Sequence, residues 1–324
     1  MSMRELFPSL RGNPRTIDEL LKDIGADFKV EKRPVYHKVP GMALGHVPIP
    51  GYSAMIREDN NFPLGIVGAR YGVSQYNSTL RFLDELVADG QFNFNGGRCT
   101  LGGAHLFVSL KAPNRVIFAG ADTVECYFTV STSHDGSDAI TVMCSPVHQR
   151  SQTVLPSELG IIKIRHSVHV KNRLADAAAT LRKMNKVWQD HADAFTRFPE
   201  IRLTEDDART YFAMLAPSKD GSDVAARTQN VRDRLFDIYK NHKLTAHLPS
   251  CQGTLLGALV AAMIFGDYYK TVRKSIVGIS EQDTRIESRL SGQGAKLKAD
   301  AFAGALTLMN LDNDAALARV PGMA

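Results

Sequence analysis

Alternating apolar and polar positions dominate the centre of the chain and predict three β-strands. Apolar side chains recur at every second position over 106–110, 124–130 and 139–147, which is the period of a strand with two different faces. The last two runs flank the tetrapeptide 134–137, HDGS, whose Asp and Gly are typical turn residues. We therefore expect an antiparallel sheet that is covered on one side only, with a hairpin turn at 134–137.

A helix and a shorter hairpin are predicted before this centre. Thr16 is placed to cap an exposed helical lead-in that ends at Gly25. The four prolines between positions 34 and 50 argue against regular structure throughout that segment. Strand-like runs at 52–56 and 64–67 flank a turn at 58–61, which predicts a second hairpin.

Helical periodicity flanks the sheet on both sides. Leu80, Leu83 and Leu86 follow three-to-four spacing in a helix that begins at 77 or 78 and ends at Gly90. A long helix is predicted from near Val168, with an apolar stripe at every seventh residue. The stripe consists of Leu174, Leu181, Trp188 and Phe195. Further helices are predicted at 205–215, 253–273 and 284–309.

These elements predict an α+β fold: an antiparallel sheet with a long helix packed on one face, followed by a carboxy-terminal helical region. We divide the chain into a helical lead-in at 1–30, an α+β core at 31–200 and a helical region at 201–324. The linker-like composition after Ala216 predicts a flexible connection near 216–230.

Composition indicates a cytoplasmic protein. The four cysteines are widely spaced and form no C-x-x-C pair, which favours reduced thiols over a disulfide framework. The amino terminus has no apolar segment typical of a secretion signal. The longest apolar run, 255–265, is shorter than the ~20 residues that span a bilayer, so we expect no membrane association.

Positive charge is concentrated in one segment. Residues 150–186 contain eight basic and two acidic residues, a net charge of +6, whereas the whole chain carries +5. Such a concentration is typical of a surface that binds a polyanion, although a solvated helix face would show the same pattern. The candidate nucleic-acid-binding residues are Arg150, Lys163, Arg165, His166, Lys171, Arg173, Arg182, Lys183 and Lys186.

Motifs for the common catalytic chemistries are absent from the sequence. It contains no phosphate loop for nucleoside triphosphates, no dinucleotide fingerprint and no H-E-x-x-H pair. His148, His166 and His169 have no cysteine at the spacing of a structural zinc site. We therefore expect no cofactor, no metal and no catalytic residue, and we lean against an enzyme.

Two sets of residues keep alternatives open. His134 next to Asp135 suits either a turn or acid–base chemistry, and Asp135 with Asp138 could hold Mg²⁺. Phe107 and Tyr127 lie on the polar side of their strands. They would either stack on bases or be covered by a second helical layer.

Four stretches together resemble the phage- and plasmid-like proteins catalogued as domain of unknown function 932. They are RED at 57–59 with LGIVG at 64–68 and Tyr71, SHDGS at 133–137 followed by Pro146, IRHS at 164–167, and ES at 287–288 with GQGAKLK at 292–298. Where the family tends to have vCQNTL, this chain has RSQTVL at 150–155 and shares only Gln152 and Leu155. The resemblance implies a protein of a mobile element in the cytoplasm of its host.

The order of helix, antiparallel strands and long basic helix also resembles the core of Rad fifty-two-type single-strand annealing proteins. This second resemblance is topological, and it implies rings or filaments, hence a homo-oligomer. Our leading hypothesis is a single-stranded DNA-binding or annealing protein that acts without ATP, with single-stranded DNA as its partner. The alternatives are a metal-dependent nuclease centred on His134 and Asp135, and an interaction protein that acts on a host factor.

Overall fold

The structure is a computed structural model that describes residues 6–8, 10–41, 45–118, 122–155, 162–164, 188, 192–218, 225–272 and 280–310. The predicted α+β class is confirmed: two antiparallel sheets precede a helical region. The strands are β1 Val30–Lys38, β2 His46–Arg57, β3 Pro63–Gly68, β4 Asn93–Thr100, β5 His105–Phe118, β6 Asp122–Ser133, β7 Ile140–Cys144, β8 Val147–His148, β9 Thr153–Val154 and β10 Ile162–Ile164. The helices are α1 Ile17–Asp23, α2 Tyr76–Leu80, α3 Phe82–Ala88, α4 Glu205–Leu215, α5 Ala226–Asn241, α6 Lys243–His247, α7 Leu255–Ile264, α8 Glu281–Leu290 and α9 Gln293–Asn310.

The first sheet has the order β1-β2-β3 and confirms the predicted hairpin around the turn at 58–61. β1 and β2 extend well beyond β3, because β3 pairs only with the second half of β2, residues 52–56. Pro34, Pro48 and Pro50 therefore lie in extended strands, although we expected irregular structure there. Proline is tolerated in this hairpin because its strands are at or near the sheet edge and need fewer N–H donors.

The second sheet has the order β10-β7-β6-β5-β4, with the short strands β8 and β9 paired beside β6. β5 and β6 form its centre and pair from His105 with Ser133 to Phe118 with Asp122. The tetrapeptide at 134–137 connects β6 to β7, as predicted, and Gly136 adopts φ +79°. A positive φ is accessible to glycine at little cost, so this position suits the turn.

The second sheet is covered on both faces, so the expectation of a single covered side is wrong. Leu106 and Val108 on one face of β5 belong to the main core, which also contains α2, α3 and α7. Phe107 on the opposite face is buried with Tyr127 in a smaller cluster. This cluster is completed by Leu6, Phe7, Val147, Val154, Ile286 and Leu290. Segments from both ends of the described chain therefore cover the polar-looking face.

The amino-terminal helix α1 is also more buried than predicted. Thr16 caps it by accepting a hydrogen bond from the Glu19 amide at 3.3 Å, which confirms the predicted start. Ile17, Leu20 and Leu21 are buried in the main core. The lead-in is therefore part of the fold instead of an exposed extension.

Helices α4 to α9 form the carboxy-terminal region around α7, in which every residue is buried. Helix α5 begins at Ala226, inside the stretch 216–230 predicted as a flexible linker. Most of the predicted long helix from Val168 lies outside the described residues. Helical structure is present at 192–197, and Trp188 and Phe195 of the predicted stripe are buried.

All four cysteines are free thiols. Within the described ranges, none of the helices combines the length and the apolar character that a bilayer span requires.

Candidate functional site

The turn at 134–137 directs its histidine and its carboxylate to different partners. The His134 ring is buried and stacks on the ring of Tyr76, with centroids 3.8 Å apart. Asp135 instead places Oδ2 3.0 Å from Nε2 of His105, the first residue of β5. Adjacent residues in the sequence therefore do not form the His134–Asp135 pair on which the nuclease alternative is centred.

His105 lies between two carboxylates that come from distant parts of the chain. Its Nδ1 atom is 3.0 Å from Oε2 of Glu287 in α8, and its Nε2 atom faces Asp135. Ser137 Oγ lies 2.9 Å from the same Nε2 atom and donates to Asp135 Oδ1 at 2.6 Å. We call His105, Asp135 and Glu287 the carboxylate clamp. It joins β5, the 134–137 turn and the carboxy-terminal region.

The charges of the clamp stabilise one another. Burial alone would lower the pKa of His105, but the hydrogen bonds and charges of Asp135 and Glu287 raise it to about 10. Burial would raise the pKa of Asp135, yet His105 and Ser137 hold it well below its ordinary value. His105 is therefore an imidazolium ion at neutral pH. A general acid or base works best with a pKa near the working pH, so this geometry suits a structural ion pair.

Further contacts attach α8 and the first sheet to the turn between β4 and β5. Thr100 Oγ1 donates to Glu287 Oε1, and Arg57 Nη1 donates to the carbonyl of Gly102 at 2.9 Å. Arg57 also binds Asp59 through two hydrogen bonds, of 2.9 and 2.6 Å. Three of the four stretches that carry the family resemblance, at 57–71, 133–137 and 287–298, thus meet around one turn.

Close backbone packing holds β3 against the clamp. A Cβ atom on Gly65 would lie 2.6 Å from Cβ of Asp135, so only glycine fits at this position. The Tyr71 hydroxyl donates to the carbonyl of Ser133 at 3.0 Å. These contacts position the 134–137 turn, and sequence patterns alone did not indicate them.

Two of the nine predicted nucleic-acid-binding residues can be placed. Arg150 and Lys163 are exposed; Arg165, His166, Lys171, Arg173, Arg182, Lys183 and Lys186 lie outside the described residues. Arg150 follows Gln149, whose backbone N–H donates to the carbonyl of Thr123 at the start of β6. Lys163 is paired with Thr141, next to Ser131 near the end of β6. Because a strand rises ~3.3 Å per residue, the positions on β6 beside which the two residues lie, Thr123 and Ser131, are about 26 Å apart along the strand.

The two strand aromatics that the sequence offered for base stacking are not exposed to solvent. Phe107 and Tyr127 are buried beneath Leu6, Phe7 and residues of α8. The alternative in which a further layer covers them is therefore correct, and they are not available to bases.

A basic surface that the sequence analysis missed lies on the β1–β2 hairpin. We call residues 29–57 the arm. Five basic residues and one acidic residue give the arm a net charge of +4. Arg57, at its inner end, is paired with Asp59 just beyond the arm. The outer half of the arm, where Tyr36 pairs with Pro48 and Lys38 with His46, has no third strand beside it in the part of the chain that the structure describes. Neighbours on opposite faces, such as Tyr36 and His37, are both exposed, so both faces of this half contact solvent.

Two tyrosines lie on this arm with little cover. Tyr36 is 51% exposed and Tyr52 is 57% exposed, although large aromatic side chains are normally mostly buried. Lys38 and Lys29 have no ion pair within the described residues, whereas Arg33 pairs with Glu31 at 2.5 Å. Cations interleaved with exposed aromatic rings are the signal that could have identified this surface from the sequence.

Comparison with known proteins places the chain in a family without a known function. A family profile described as "Domain of unknown function (DUF932)" matches residues 63–288. No curated protein and no solved structure matches the chain, so the topological resemblance to annealing proteins has no further support. The profile covers more than half of the chain, including the turn at 134–137 and Glu287. The protein therefore belongs to the DUF932 family.

Proposed function

We propose that this chain binds single-stranded DNA without hydrolysing a nucleotide, with the arm as a main contact surface. The observation that carries the proposal is the combination of a +4 charge with two exposed tyrosines on the arm. Tyr36 lies on its two-stranded outer half, and Tyr52 lies where β2 begins to pair with β3. Basic side chains bind phosphates regardless of base sequence, and tyrosine rings stack on bases. The segment 150–186, with a charge of +6, supplies a second set of phosphate contacts.

A single strand suits this surface better than a duplex. Bases in a duplex are stacked on each other, so their faces cannot reach Tyr36 or Tyr52, whereas an unpaired strand exposes them. Annealing would follow if bound strands kept their pairing edges open to a second strand. A strand longer than one arm would then bind several copies side by side, so we expect a homo-oligomer on DNA.

A salt series with fluorescently labelled oligothymidylate tests this proposal. Binding to a single strand weakens with salt, with a slope of about −0.7 in log K against log salt for each neutralised phosphate. Lys38→Ala is expected to weaken binding and to reduce the slope by about 0.7. Lys243→Ala is the matched control, because Lys243 is an exposed lysine in α6, outside both basic segments.

Several results would overturn the proposal. They are a Kd for oligothymidylate that does not depend on salt, equal affinity for a duplex of the same length, and equal effects of the two lysine substitutions. If the Kd does not depend on salt, the exposed apolar residues Val47, Ile49 and Ile66 around the arm would instead indicate a protein partner.

A further inference from the structure

Three side chains with metal-binding atoms meet where the second sheet contacts the helical region. Asp122 opens β6, His148 ends β8, and Cys251 lies in the turn before α7. One ligand atom from each side chain lies within 4.8 Å of the other two. Asp122 Oδ2 and His148 Nε2 are 2.9 Å apart, and all three residues are almost fully buried. No sequence pattern indicates this group, because 103 positions separate His148 from Cys251.

The three atoms are a carboxylate oxygen, an imidazole nitrogen and a thiol sulfur. Zinc accepts all three kinds of ligand in tetrahedral sites. Magnesium and calcium are bound through oxygen, so a set with one sulfur and one nitrogen disfavours them. Asp122 Oδ2 and His148 Nε2 form a hydrogen bond in the structure, and a cation bound between them would replace its proton.

Neighbouring hydroxyl groups orient the three ligands. Ser151 Oγ lies 2.8 Å from His148 Nδ1 and 2.6 Å from Thr153 Oγ1, which directs Nε2 towards Asp122. The Ser151 backbone N–H donates to Nδ1 at 3.3 Å, which places the ring proton on Nε2 in the structure. A metal at Nε2 would move that proton to Nδ1, where Ser151 Oγ can accept it. Outer hydrogen bonds of this kind fix the ring of a metal-binding histidine and set which nitrogen is free.

Ser250 provides a fourth polar atom at the same point. Its Oγ lies 2.7 Å from Asp122 Oδ2 and 3.7 Å from Cys251 Sγ. The carbonyl of Cys251 is held close to α7, where a Cβ on Gly257 would lie only 1.9 Å from it. The thiol therefore has a fixed place next to the carboxylate and the imidazole.

We propose that Asp122, His148 and Cys251 bind one Zn²⁺ ion, with the Ser250 hydroxyl orienting the Asp122 carboxylate through its hydrogen bond to Oδ2. The ion has a structural role, because the ligands are sealed from solvent and connect the sheet to the turn before α7. This site is independent of DNA binding by the arm. It also differs from our sequence-based expectation that the chain has no metal.

Cobalt substitution tests the site directly. The full chain is expressed in minimal medium with Co²⁺, purified, and analysed for metal content and absorbance. We expect one Co²⁺ per chain, with a thiolate-to-cobalt charge-transfer band and the d–d bands of a tetrahedral ion, all removed when Zn²⁺ displaces it. Cys251→Ser should abolish the charge-transfer band, whereas Cys99→Ser, which changes a thiol in β4, should leave it intact.

Measurements on the protein without substitutions are sufficient to refute the proposal. A purified chain that contains neither cobalt nor zinc at a stoichiometric level, or a cobalt spectrum without a thiolate band, would show that Asp122 and His148 are only a hydrogen-bonded pair. A thiolate band that survives in Cys251→Ser would also overturn the assignment. If that variant does not fold, Asp122→Asn is the second test, and it should lower metal affinity by at least about tenfold.

Discussion

The Nδ1 atom of His105 lies 3.0 Å from the Oε2 atom of Glu287, although 182 positions separate the two residues. This contact joins β5, in the centre of the second sheet, to α8 in the carboxy-terminal region. Because Asp135 occupies the other ring nitrogen, one imidazolium connects three parts of the chain. The clamp is thus a tertiary contact that stabilises the region shared by the family-like stretches.

Removal of one carboxylate from the clamp should destabilise the fold. Glu287→Gln is expected to lower the free energy of unfolding by about 3 kcal/mol, because a mostly buried cation loses a charged partner. Glu281→Gln, on the same helix, removes an exposed i,i+4 pair with Arg285 and should cost less than about 0.5 kcal/mol. Urea unfolding measures both, and equal midpoints for the two variants would contradict the role of the clamp.

The clamp should also make stability depend on pH. The pKa of His105 is about 10 in the fold and 6.5 when unperturbed, so the folded state holds a proton that the unfolded state loses. The stabilisation is complete below about pH 6.5 and is lost as pH rises towards 10, with a slope of up to about 1.4 kcal/mol per pH unit. In urea titrations between these pH values, His105→Gln should remove most of this slope. A parallel decline in the variant would show that other groups cause it.

The contact between β3 and the 134–137 turn predicts that alanine substitutions at two glycines of β3 change stability by very different amounts. Gly65→Ala places a methyl group 2.6 Å from Asp135 Cβ and should cost about 1–3 kcal/mol. Gly68→Ala has no heavy atom within 4 Å of its new methyl group and should be nearly neutral. Thermal unfolding compares them, and similar Tm values would contradict the close approach of β3.

The buried ion pairs of the helical region should contribute more to the free energy of unfolding than an exposed pair on the same helices. Asp267 binds Arg289 at 3.0 Å and Lys298 at 2.6 Å, and all three residues are almost fully buried. Asp267→Asn leaves two buried cations without an anion and should cost about 3–5 kcal/mol. Asp300→Asn removes only an exposed pair with Lys296 and is the control. Comparable urea midpoints for the two would show that the buried group contributes little.

If Tyr52 stacks on bases, DNA binding should depend on its aromatic ring and not on its hydroxyl group. Tyr52→Ala should weaken binding of oligothymidylate by about 1–3 kcal/mol, or roughly five- to 150-fold, whereas Tyr52→Phe keeps the ring and should bind as the original does. Ile66→Ala is the control, because Ile66 is 62% exposed on the same sheet but has no ring. Fluorescence anisotropy measures all three; an equal loss in Tyr52→Phe would argue against stacking.

Local features of the fold could be predicted from the sequence, because each depends on neighbouring residues. The turn at 134–137 follows from Asp and Gly between two alternating runs, and the start of α1 follows from Thr16. Partners that come from far along the chain leave no such pattern. The alternation around Phe107 does not reveal that Leu6 and Ile286 cover it, and nothing near Asp135 indicates Glu287.

The candidate surfaces show the same limit. The concentration of charge in 150–186 attracted the first hypothesis, since it is a continuous run in the sequence. The arm has fewer cations and contains prolines, so its sequence suggested irregular structure. The arm stands out only in the structure, where Tyr36, Tyr52 and Lys38 are exposed on neighbouring strands. Among the described residues, no third strand pairs with its outer half.

Photocrosslinking is the most direct measurement of whether the arm contacts single-stranded DNA. An oligonucleotide that contains bromodeoxyuridine is irradiated with the full chain, and the crosslinked peptides are identified by mass spectrometry. We predict crosslinks to peptides that contain Tyr36 or Tyr52, which disappear when unlabelled single strand is added in excess. Crosslinks confined to the helical region at 205–310, or none at all at saturating DNA, would contradict the account.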